Sequence, residues 1–410
     1  MQDIELYHYL LGIEKPWAVE RVTLDVENQR VDVWATHQEG IRWPCPECGS
    51  MTSLYDHAPE RAWRHLDSCQ FKTLLHARPP RVNCREHGVR QVRLSWAEES
   101  SRFTLLFERL AIDVLRECDI LGATRILRIS WDEAWHLMER AVKRGLLAKG
   151  QRACSRIGVD EKSVGKGHKY LTLVCDLDMG TVEYLADDRQ QGSLDSYYQG
   201  LTEEQRQGIE AVAMDIWDPY IASTRGYVPE AEEKIVFDRY HLMTHMGKAV
   251  DTVRKREHRA LQQVGDETLT KSKYLWLYSE ENLPEKHWER FEELKASHLK
   301  TARAWAIKES LRDLWNYTRK GWASAHFKRW YFWATHSRLE PVIKAARTFH
   351  RHLQNVLTYF KHRVTNAVCE GVNSKIQTII KMAYGFRNRD HLKTAIYFHC
   401  GGLDLYPGTH

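Results

Sequence analysis

Two short apolar stretches, each ending in an aspartate, constrain the fold of this chain more than any other feature. Residues 156–161 read Arg-Ile-Gly-Val-Asp-Glu, and residues 210–217 read Glu-Ala-Val-Ala-Met-Asp-Ile-Trp. Runs of this length are typical of strands that are buried on both faces in the middle of an α/β sheet. Asp160 and Asp215 then lie at the carboxyl ends of their strands, where α/β sheets bind ligands.

Glu370 is a third acidic residue, on a segment predicted to be helical over 363–381. Val372, Ile376 and Ile379 recur at helical spacing, and Glu370 lies on the opposite face. The pattern also fits a solvated amphipathic helix. If this helix packs beside the edge of the sheet, Glu370 joins the two aspartates. Three neighbouring carboxylates repel one another unless divalent cations neutralise them.

The order of the predicted elements indicates a mixed sheet with a helical insertion. We expect strands at 155–160, 169–176, 181–187, 210–215 and 234–238, and helices near 194–208 and 218–226. This is the order of a ribonuclease-H-like domain, predicted over 152–247 and 362–400. Residues 248–361 are helical, basic and Trp-rich, and are predicted to form an all-helical insertion, because a structureless loop of that length does not fit a compact domain.

Two knuckles near the start predict a zinc site within a zinc-ribbon domain over residues 1–95. Cys45 and Cys48 have zinc-ligand spacing, and Cys84 and His87 repeat that spacing. The alternatives are metal-free thiols or a redox pair. Other candidates lie between the knuckles, and one of them could replace His87 as a ligand: His57, His65, Cys69 and His76.

Residues 102–148 are predicted to form a helix-turn-helix domain. A helix from Arg102, a short helix at 121–127 and a helix at 131–143 capped by Ser130 give its outline. Any three-helix bundle has a similar pattern, and its charges also fit an ordinary solvated surface. The basic residues predicted to hold DNA phosphates are Arg125, Arg128, Arg140, Lys143 and Arg144.

Composition fits a multidomain α+β protein. The chain has 410 residues and a net charge of +5, which permits binding to nucleic acid without requiring it. Nine widely spread cysteines argue against a disulfide scaffold, and no apolar run or signal peptide indicates a membrane. We expect a protein of the reducing cytoplasm. The tail from Gly401, which follows a last helix at 390–399, is expected to be unstructured.

The chain resembles the ISL-three (ISL3) family of bacterial insertion-sequence transposases along nearly its whole length. The resemblance rests on the Cys-Pro-x-Cys-Gly knuckle, the helix-turn-helix pattern, Gly-Val-Asp-Glu at 158–161 and Met-Asp at 214–215. Phe-Asp-Arg-Tyr-His at 237–241 adds to it. The most specific motifs are Asn-Ala-Val-Cys-Glu-Gly-Val-Asn-Ser-Lys at 366–375 and Ala-Tyr-Gly-Phe-Arg at 383–387.

The resemblance implies a DDE transposase that binds the terminal inverted repeats of its element and acts on target DNA as a homodimer. It also implies a bacterial cytoplasmic protein associated with the nucleoid. Asp160, Asp215 and Glu370 would be the catalytic triad and would bind two Mg²⁺ or Mn²⁺ ions. Asp238 and His241 match an Asp-x-x-His element beside the site. The family often has cysteine where His87 stands. Further phosphate-binding candidates are Arg363, Lys375, Lys381 and Arg387.

Two other functions also fit parts of the sequence. One is a non-catalytic zinc-ribbon and helix-turn-helix regulator, for which residues 150–410 would be a scaffold. The other is a host nuclease or recombinase with the same fold. The intact acidic positions favour the transposase over the regulator. The insertion has two interpretations as well: it supports the sheet, or it contacts DNA near the cleavage point and helps to join two subunits.

Overall fold

In the computed structural model, which describes residues 3–150, 152–165 and 169–408, the chain divides into two units. The N-terminal unit comprises residues 3–150 and 379–408, and the central unit comprises 152–165 and 169–378. No described helix is both long and apolar enough to cross a membrane.

The helices and strands follow in chain order. Up to residue 150 they are α1 (Asp3–Leu10), β1 (Trp17–Asp25), β2 (Arg30–His37), β3 (Arg42–Pro44), β4 (Met51–His57), β5 (Arg61–Arg64), β6 (Lys72–Ala77), β7 (Pro80–Cys84), β8 (Gly88–Gln91), α2 (Leu105–Glu117), α3 (Ile120–Leu127) and α4 (Trp131–Lys149). The rest are β9 (Arg156–Gly165), β10 (Lys169–Asp176), β11 (Thr181–Asp187), α5 (Gln191–Gly200), α6 (Glu203–Gln207), β12 (Ala211–Met214), α7 (Asp218–Tyr227), α8 (Ala231–Lys234), β13 (Ile235–Phe237), α9 (Arg239–Gln263), α10 (Lys273–Leu277), α11 (Trp288–Ala296), α12 (Lys300–Arg312), α13 (Lys320–Thr335), α14 (Glu340–Arg351), α15 (Leu353–Leu357), α16 (Tyr359–His362), α17 (Ala367–Met382) and α18 (Arg389–Cys400). Short 3₁₀ turns lie at Glu280–Asn282, Glu285–His287 and Asp313–Asn316.

The first part of the N-terminal unit contains two four-stranded sheets. The predicted hairpin is present as β1 and β2, which pair antiparallel within the sheet β1-β2-β6-β5. The second sheet, β3-β4-β7-β8, carries the two knuckles. Buried indole rings join the core of this region, because Trp17 contacts both Trp43 and Trp96, and Trp63 contacts Trp96. The predicted zinc-ribbon domain is therefore larger than a ribbon alone.

The three predicted helices after residue 102 are present as α2, α3 and α4. Ser130 caps α4 through a capping box with Glu133: the Ser130 hydroxyl accepts from the Glu133 backbone N–H at 3.2 Å, and the Glu133 carboxylate accepts from the Ser130 N–H at 2.8 Å. The helix continues to Lys149, beyond the predicted end at 143.

The C-terminal segment packs on α4. Helix α18 contacts α4 because Phe398 joins the apolar core of the three helices, and its assignment to the catalytic domain stays a prediction. The tail after Gly401 was expected to be unstructured. Instead Leu403 and Leu405 are buried in the same core, and Arg144 donates to the Leu405 carbonyl at 2.8 Å. Apolar burial and this hydrogen bond order the tail.

The central unit is built on a five-stranded sheet of order β11-β10-β9-β12-β13. β9, β10 and β11 are antiparallel neighbours, whereas β12 is parallel to both β9 and β13. The predicted strands all occur, and β9 runs on to Gly165. The single helix expected at 194–208 is two helices, α5 and α6, because Thr202 starts a new capped helix.

Helices cover both faces of this sheet. On one face Ile157, Val159, Val212 and Met214 share a core with α5, α7 and the helices between 239 and 362. This confirms that the insertion is helical, and its core includes four tryptophans: Trp276, Trp305, Trp315 and Trp330. The other face of β9 meets α17.

Gly158 allows α17 to lie close to the centre of the sheet. A Cβ atom at this position would come within 3.0 Å of Cys369 Sγ, Asn366 Oδ1 and Leu177 Cδ2. Because Asp160 follows two residues later, its side chain points to the same face of the sheet. The absence of a side chain at Gly158 therefore sets the distance between α17 and the strand that carries Asp160.

Replacing Gly158 with alanine is expected to destabilise the central unit by about 1–3 kcal/mol through overpacking. The thermal midpoint should fall by several degrees. Gly192→Ala in α5 is the matched control, because a Cβ added there would meet nothing within 4 Å in the described part of the chain, apart from its own helix. Equal midpoints for both variants would show that α17 can move away from the strand at no cost.

Candidate active site

Asp160 and Asp215 lie side by side at one edge of the central sheet. Ala213 on β12 pairs with Gly158 on β9 in parallel register. Two residues further along the chain, Asp215, the first residue after β12, therefore comes level with Asp160. Asp160 was expected at the carboxyl end of its strand, but β9 continues to Gly165 because it stays paired with β10, so Asp160 lies within the strand.

The Asp160 carboxylate is held by two donors. It accepts a hydrogen bond from the Glu161 backbone N–H at 2.7 Å and another from Asn373 Nδ2 at 2.6 Å. The residue is only 8% exposed. Burial, with a further contribution from the charge of Asp215, raises the pKa of Asp160 to about 6. Its ionised form is therefore poorly compensated by the protein alone.

His241 forms an ion pair with Asp215, with 2.6 Å between Nδ1 and Oδ2. Burial lowers the pKa of His241, but the hydrogen bond and the negative charge of Asp215 outweigh this, so the pKa is raised overall. The raised pKa favours a protonated imidazole beside the aspartates.

Asp238 and Glu370 complete the cluster on the other side of His241. Ligand atoms of Asp238, His241 and Glu370 all lie within 4.8 Å of one another. Asp238 also caps α9, accepting from the backbone N–H groups of Tyr240 and His241, and it accepts from Asn366 N at 2.9 Å. Burial and the charge of Asp238 raise the pKa of Glu370. Asp238 thus joins the start of α9 to the segment that leads into α17.

The structure brings all five predicted residues of this site together, in two groups. Asp160 interacts with Asp215, while Glu370 lies against Asp238, and His241 lies between the groups. The sequence pattern predicted no role for Asn373, although Asn373 stands one helical turn after Glu370 on the same face of the helix. Its position three residues after Glu370 was the feature of the sequence that could have identified Asn373 as part of the site.

The two knuckles form a Cys₃His cluster. Cys48 Sγ lies 3.7 Å from Cys84 Sγ, and His87 Nδ1 lies 3.6 Å from Cys84 Sγ and 3.9 Å from Cys45 Sγ. Tetrahedral zinc with bonds of about 2.0–2.3 Å requires ligand separations of roughly 3.5–3.8 Å. Hydrogen bonds with Ser50 lower the pKa of Cys48 to about 6, which favours the thiolate that binds metal. The cluster fits zinc, with His87 as the fourth ligand.

Three of the basic residues predicted to bind DNA form ion pairs inside the N-terminal unit: Arg128 with Asp67, Arg140 with Glu108, and Arg144 with Glu98 at 2.5 Å and Glu108 at 3.8 Å. Glu108 is only 1% exposed, so Arg140 and Arg144 neutralise a buried charge.

The other basic residues predicted to bind DNA have exposed side chains. Two of them, Arg125 and Lys143, lie in the predicted helix-turn-helix. Four further candidates are also exposed, the first two in the central unit and the others in the N-terminal unit: Arg363, Lys375, Lys381 and Arg387.

Comparison with known proteins decides the family. A family model described as a transposase, of the ISL3 type, matches residues 157–396, which is more than half of the chain. The chain belongs to the ISL3 family of transposases. Two further models match this transposase chain at its predicted N-terminal domains: the zinc-finger of transposases IS204, IS1001, IS1096 and IS1165 at residues 41–87, and the helix-turn-helix domain of transposase family ISL3 at 92–142.

Curated relatives of this transposase chain cover almost its whole length. The transposase for insertion sequence element IS1001 of Bordetella parapertussis is 24% identical over 369 residues, or 89% of each chain. The transposase for insertion sequence element IS1557 of Mycobacterium tuberculosis is 25% identical over 446 aligned positions, which cover 100% of this chain and 98% of the relative. The zinc-ribbon and helix-turn-helix domains identify DNA as the binding partner.

One zinc ion per chain is expected in the purified protein. Cys48→Ser should remove it and lower the thermal midpoint of the N-terminal unit, because metal binding and folding are coupled in such sites. Cys69→Ser is the control, since Cys69 is exposed and outside the cluster. Metal analysis that finds no loss of zinc in Cys48→Ser would remove Cys48 from the site.

Asp160→Asn is expected to stabilise the metal-free protein at neutral pH. The folded-state pKa of about 6 exceeds the ordinary value near 4, so the folded state binds the proton more tightly. Stability therefore falls as pH rises through this window and stays lower above it, by on the order of 2–3 kcal/mol. Removing the charge should raise the thermal midpoint by a few degrees in chelator at pH 7.5, but not at pH 4. A gain of equal size at both pH values would contradict an electrostatic cause.

Proposed function

We propose that this protein is a DDE transposase that binds the terminal inverted repeats of its insertion sequence and catalyses Mg²⁺-dependent DNA strand cleavage and strand transfer. The observation that carries the proposal is the convergence of Asp160, Asp215 and Glu370, with His241 between them. Family membership supports cleavage and transfer of DNA as the reaction class.

The topology of the central sheet supports a ribonuclease-H-like catalytic domain. Three antiparallel strands are followed by two parallel strands, in the order β11-β10-β9-β12-β13. In this interpretation Asp160 lies on the central strand and Asp215 directly follows its parallel neighbour. Helix α17 returns after the helical insertion and supplies Glu370.

The chemistry of the donor set fits Mg²⁺ or Mn²⁺. Asp215 Oδ1 is buried and has no hydrogen-bond partner among the residues that the structure describes. A buried, unpartnered carboxylate oxygen is unfavourable unless a cation binds it. Asp160 lies beside it, and hard divalent cations prefer such oxygen ligands. Asp160, Asp215 and Glu370 would hold two such ions.

The carboxylates organise phosphodiester chemistry in two steps. Bound divalent cations supply charge neutralisation at the scissile phosphate and lower the pKa of a coordinated hydroxyl. In the first step water adds to phosphorus and the bond to the 3′-oxygen breaks, which leaves a 3′-OH and a 5′-phosphate. In the second step that 3′-OH loses its proton and attacks a phosphate of target DNA in the same site. The new bond to phosphorus forms as the target's own bond between phosphorus and its 3′-oxygen breaks, and the target strand leaves with a free 3′-OH. Asp160, Asp215 and Glu370 hold the reacting groups in line through both steps.

His241 and Asp238 have different roles in this proposal. His241 orients Asp215 through their hydrogen bond, and its positive charge can bind a non-bridging oxygen of the scissile phosphate. Asp238 is a positioning residue, since its carboxylate accepts backbone N–H groups from both α9 and the approach to α17. It keeps His241 and Glu370 close together.

DNA binding outside the active site is assigned to the exposed basic residues. In the N-terminal unit Arg125 and Lys143 are proposed to contact phosphates, with the start of α4 in the major groove. In the insertion, α13 exposes Trp322 and Phe332 beside Arg329, which supports a DNA contact. Two element ends must be cut and joined together, so we propose a homodimer with two active sites.

Two observations distinguish this proposal from its alternatives, the non-catalytic regulator and the host nuclease or recombinase. A regulator without catalysis would not need the clustered carboxylates, and a host nuclease would not be flanked by inverted repeats. Inverted repeats and a short duplicated target sequence on both sides of the gene would identify a mobile element and exclude the host nuclease.

Replacing the triad residues is expected to abolish cleavage while DNA binding persists. Asp160→Asn, Asp215→Asn and Glu370→Gln should each lower the rate of end cleavage at least about a hundredfold, since each loses a direct metal ligand. The measurement uses the full chain, a labelled duplex from the element end and Mg²⁺. Glu289→Gln, at an exposed position of α11, is the control for a changed acidic residue in the same unit. Near wild-type cleavage by any triad variant would exclude that residue from the site.

Basic residues of the N-terminal unit should separate into two classes. Arg125→Gln and Lys143→Gln are expected to weaken DNA binding and each to reduce the slope of log affinity against log salt by about one, without loss of stability. Arg140→Gln should instead destabilise the unit by roughly 3 kcal/mol, because it leaves Glu108 buried with a weaker partner. The double variant Glu108→Gln/Arg140→Gln should recover most of that loss. A stable Arg140→Gln with weakened DNA binding would reverse the assignment.

A further inference from the structure

A cavity of about 550 Å³ lies beyond the carboxylates at the same edge of the central sheet. Tyr170 on β10 lines it and pairs with Ser163 on β9, three residues after Asp160. Trp217 also lines it and follows Asp215 by two residues. The cavity and the active site are therefore formed by neighbouring positions on the same strands, and its volume is in the range of small-molecule sites, about 300–1,000 Å³.

The wall of the cavity is a preorganised aromatic stack. The Arg189 guanidinium lies between the rings of Tyr170, at 4.3 Å from the centroid, and Trp217, at 4.6 Å. Trp217 Nε1–H donates to the Arg189 carbonyl at 3.1 Å, and Arg189 pairs with Glu161 at 3.4 Å. These contacts hold flat surfaces in place before any ligand arrives, which reduces the entropic cost of stacking.

The charges of the lining favour a neutral ring over a phosphate. Among the lining residues that the structure describes, Asp188 and Asp218 carry negative charge, and the Arg189 guanidinium is already paired with Glu161. A phosphate would be repelled by the two aspartates. A nucleobase carries no charge, and its ring edge offers donors and acceptors to carboxylates and to the side-chain amides of Gln190 and Gln191. Pro219 and Ala222 add apolar surface for its face.

We infer that this cavity receives an unpaired base of the DNA strand that is cut, at a position next to the scissile phosphate. The inference rests on the proposed function, because it needs the scissile phosphate at Asp160 and Asp215. A paired base cannot enter a cavity of this kind, so the nucleotide must leave the duplex stack. Unpairing a base costs a few kcal/mol, and stacking on aromatic side chains returns about 1–3 kcal/mol. The bound base would anchor the strand relative to the carboxylates.

The experiment uses photo-crosslinking by the full-length protein. Duplexes from the element end carry 5-iododeoxyuridine at one position at a time around the cleavage point, and long-wave ultraviolet light joins this base to an aromatic ring stacked on it. The complexes are formed in Ca²⁺ to hold the DNA uncut. Mass spectrometry then identifies the crosslinked residue. We expect one position next to the scissile phosphate to crosslink to Trp217 or Tyr170.

A variant that fills the cavity tests the assignment without changing the stack. Ala222 is an exposed lining residue on α7, so Ala222→Phe should occupy the cavity and leave folding intact. The yield of the crosslink at that DNA position should be roughly tenfold lower in Ala222→Phe than in the wild type. Ala296→Phe, at an exposed position of α11 outside the cavity, should retain the wild-type yield. An unchanged yield in Ala222→Phe, or a crosslink to other residues, would overturn the inference.

Cleavage of the same duplexes in Mg²⁺ distinguishes the two proposals. If wild-type protein cleaves and Asp160→Asn does not, the proposed function stands. A missing crosslink to Trp217 or Tyr170 then refutes only the inference that the cavity receives a base. If Asp160→Asn cleaves as wild type does, the assignment of the active site is wrong, and so is the inference that the cavity receives a base, which depends on it.

Discussion

The packing of α17 against the central strand β9 controls the arrangement of the whole central unit. The two elements approach closely because Gly158 has no side chain where Cys369 and Asn366 press against the strand. At this distance Asn373 reaches Asp160 and Lys162 Nζ donates to the Asn373 carbonyl at 3.0 Å. Glu370 stands on the same helix, one turn before Asn373. A larger separation would break these contacts together, and the acidic residues would no longer belong to one site.

The protein tolerates a group of carboxylates that is unfavourable in isolation. Burial raises the pKa of Asp160 and of Glu370, and Asp215 retains a buried oxygen without a hydrogen-bond partner among the described residues. His241 compensates only part of this negative charge. Such unfavourable electrostatics are characteristic of functional sites, because the fold is stabilised elsewhere and the site gains its missing interactions from ligands. Here the stabilising contribution comes from the apolar core that joins the sheet to the helical insertion.

Charge in the N-terminal unit serves structure as well as binding. A count of basic residues on α4 suggests a uniform DNA-binding surface, but Arg140 and Arg144 turn towards Glu108. This glutamate is a buried residue of α2, and it also accepts a hydrogen bond from Ser101 at 2.7 Å. Removing either partner of a buried ion pair costs more than removing a solvated charge. The tail of the chain also contacts these arginines, since the Leu405 carbonyl accepts a hydrogen bond from Arg144. Lys143, on the same helix, remains exposed.

The family resemblance, and not local pattern, supplied Asp238 and His241 and the triad roles of Asp160, Asp215 and Glu370. Local pattern was sufficient to predict the strands of the central sheet, the capped helix at Ser130 and the Cys₃His cluster. Each of these depends on spacing within a few residues, where backbone geometry and ligand chemistry leave few alternatives. Only the tertiary structure decided which residues that are distant in sequence contact each other. Asn373 and Asp160 are 213 residues apart, and Arg144 and Leu405 are 261 apart. Contacts over such separations arise from how complete elements pack, and the pattern along one segment does not specify which distant side chain will meet it.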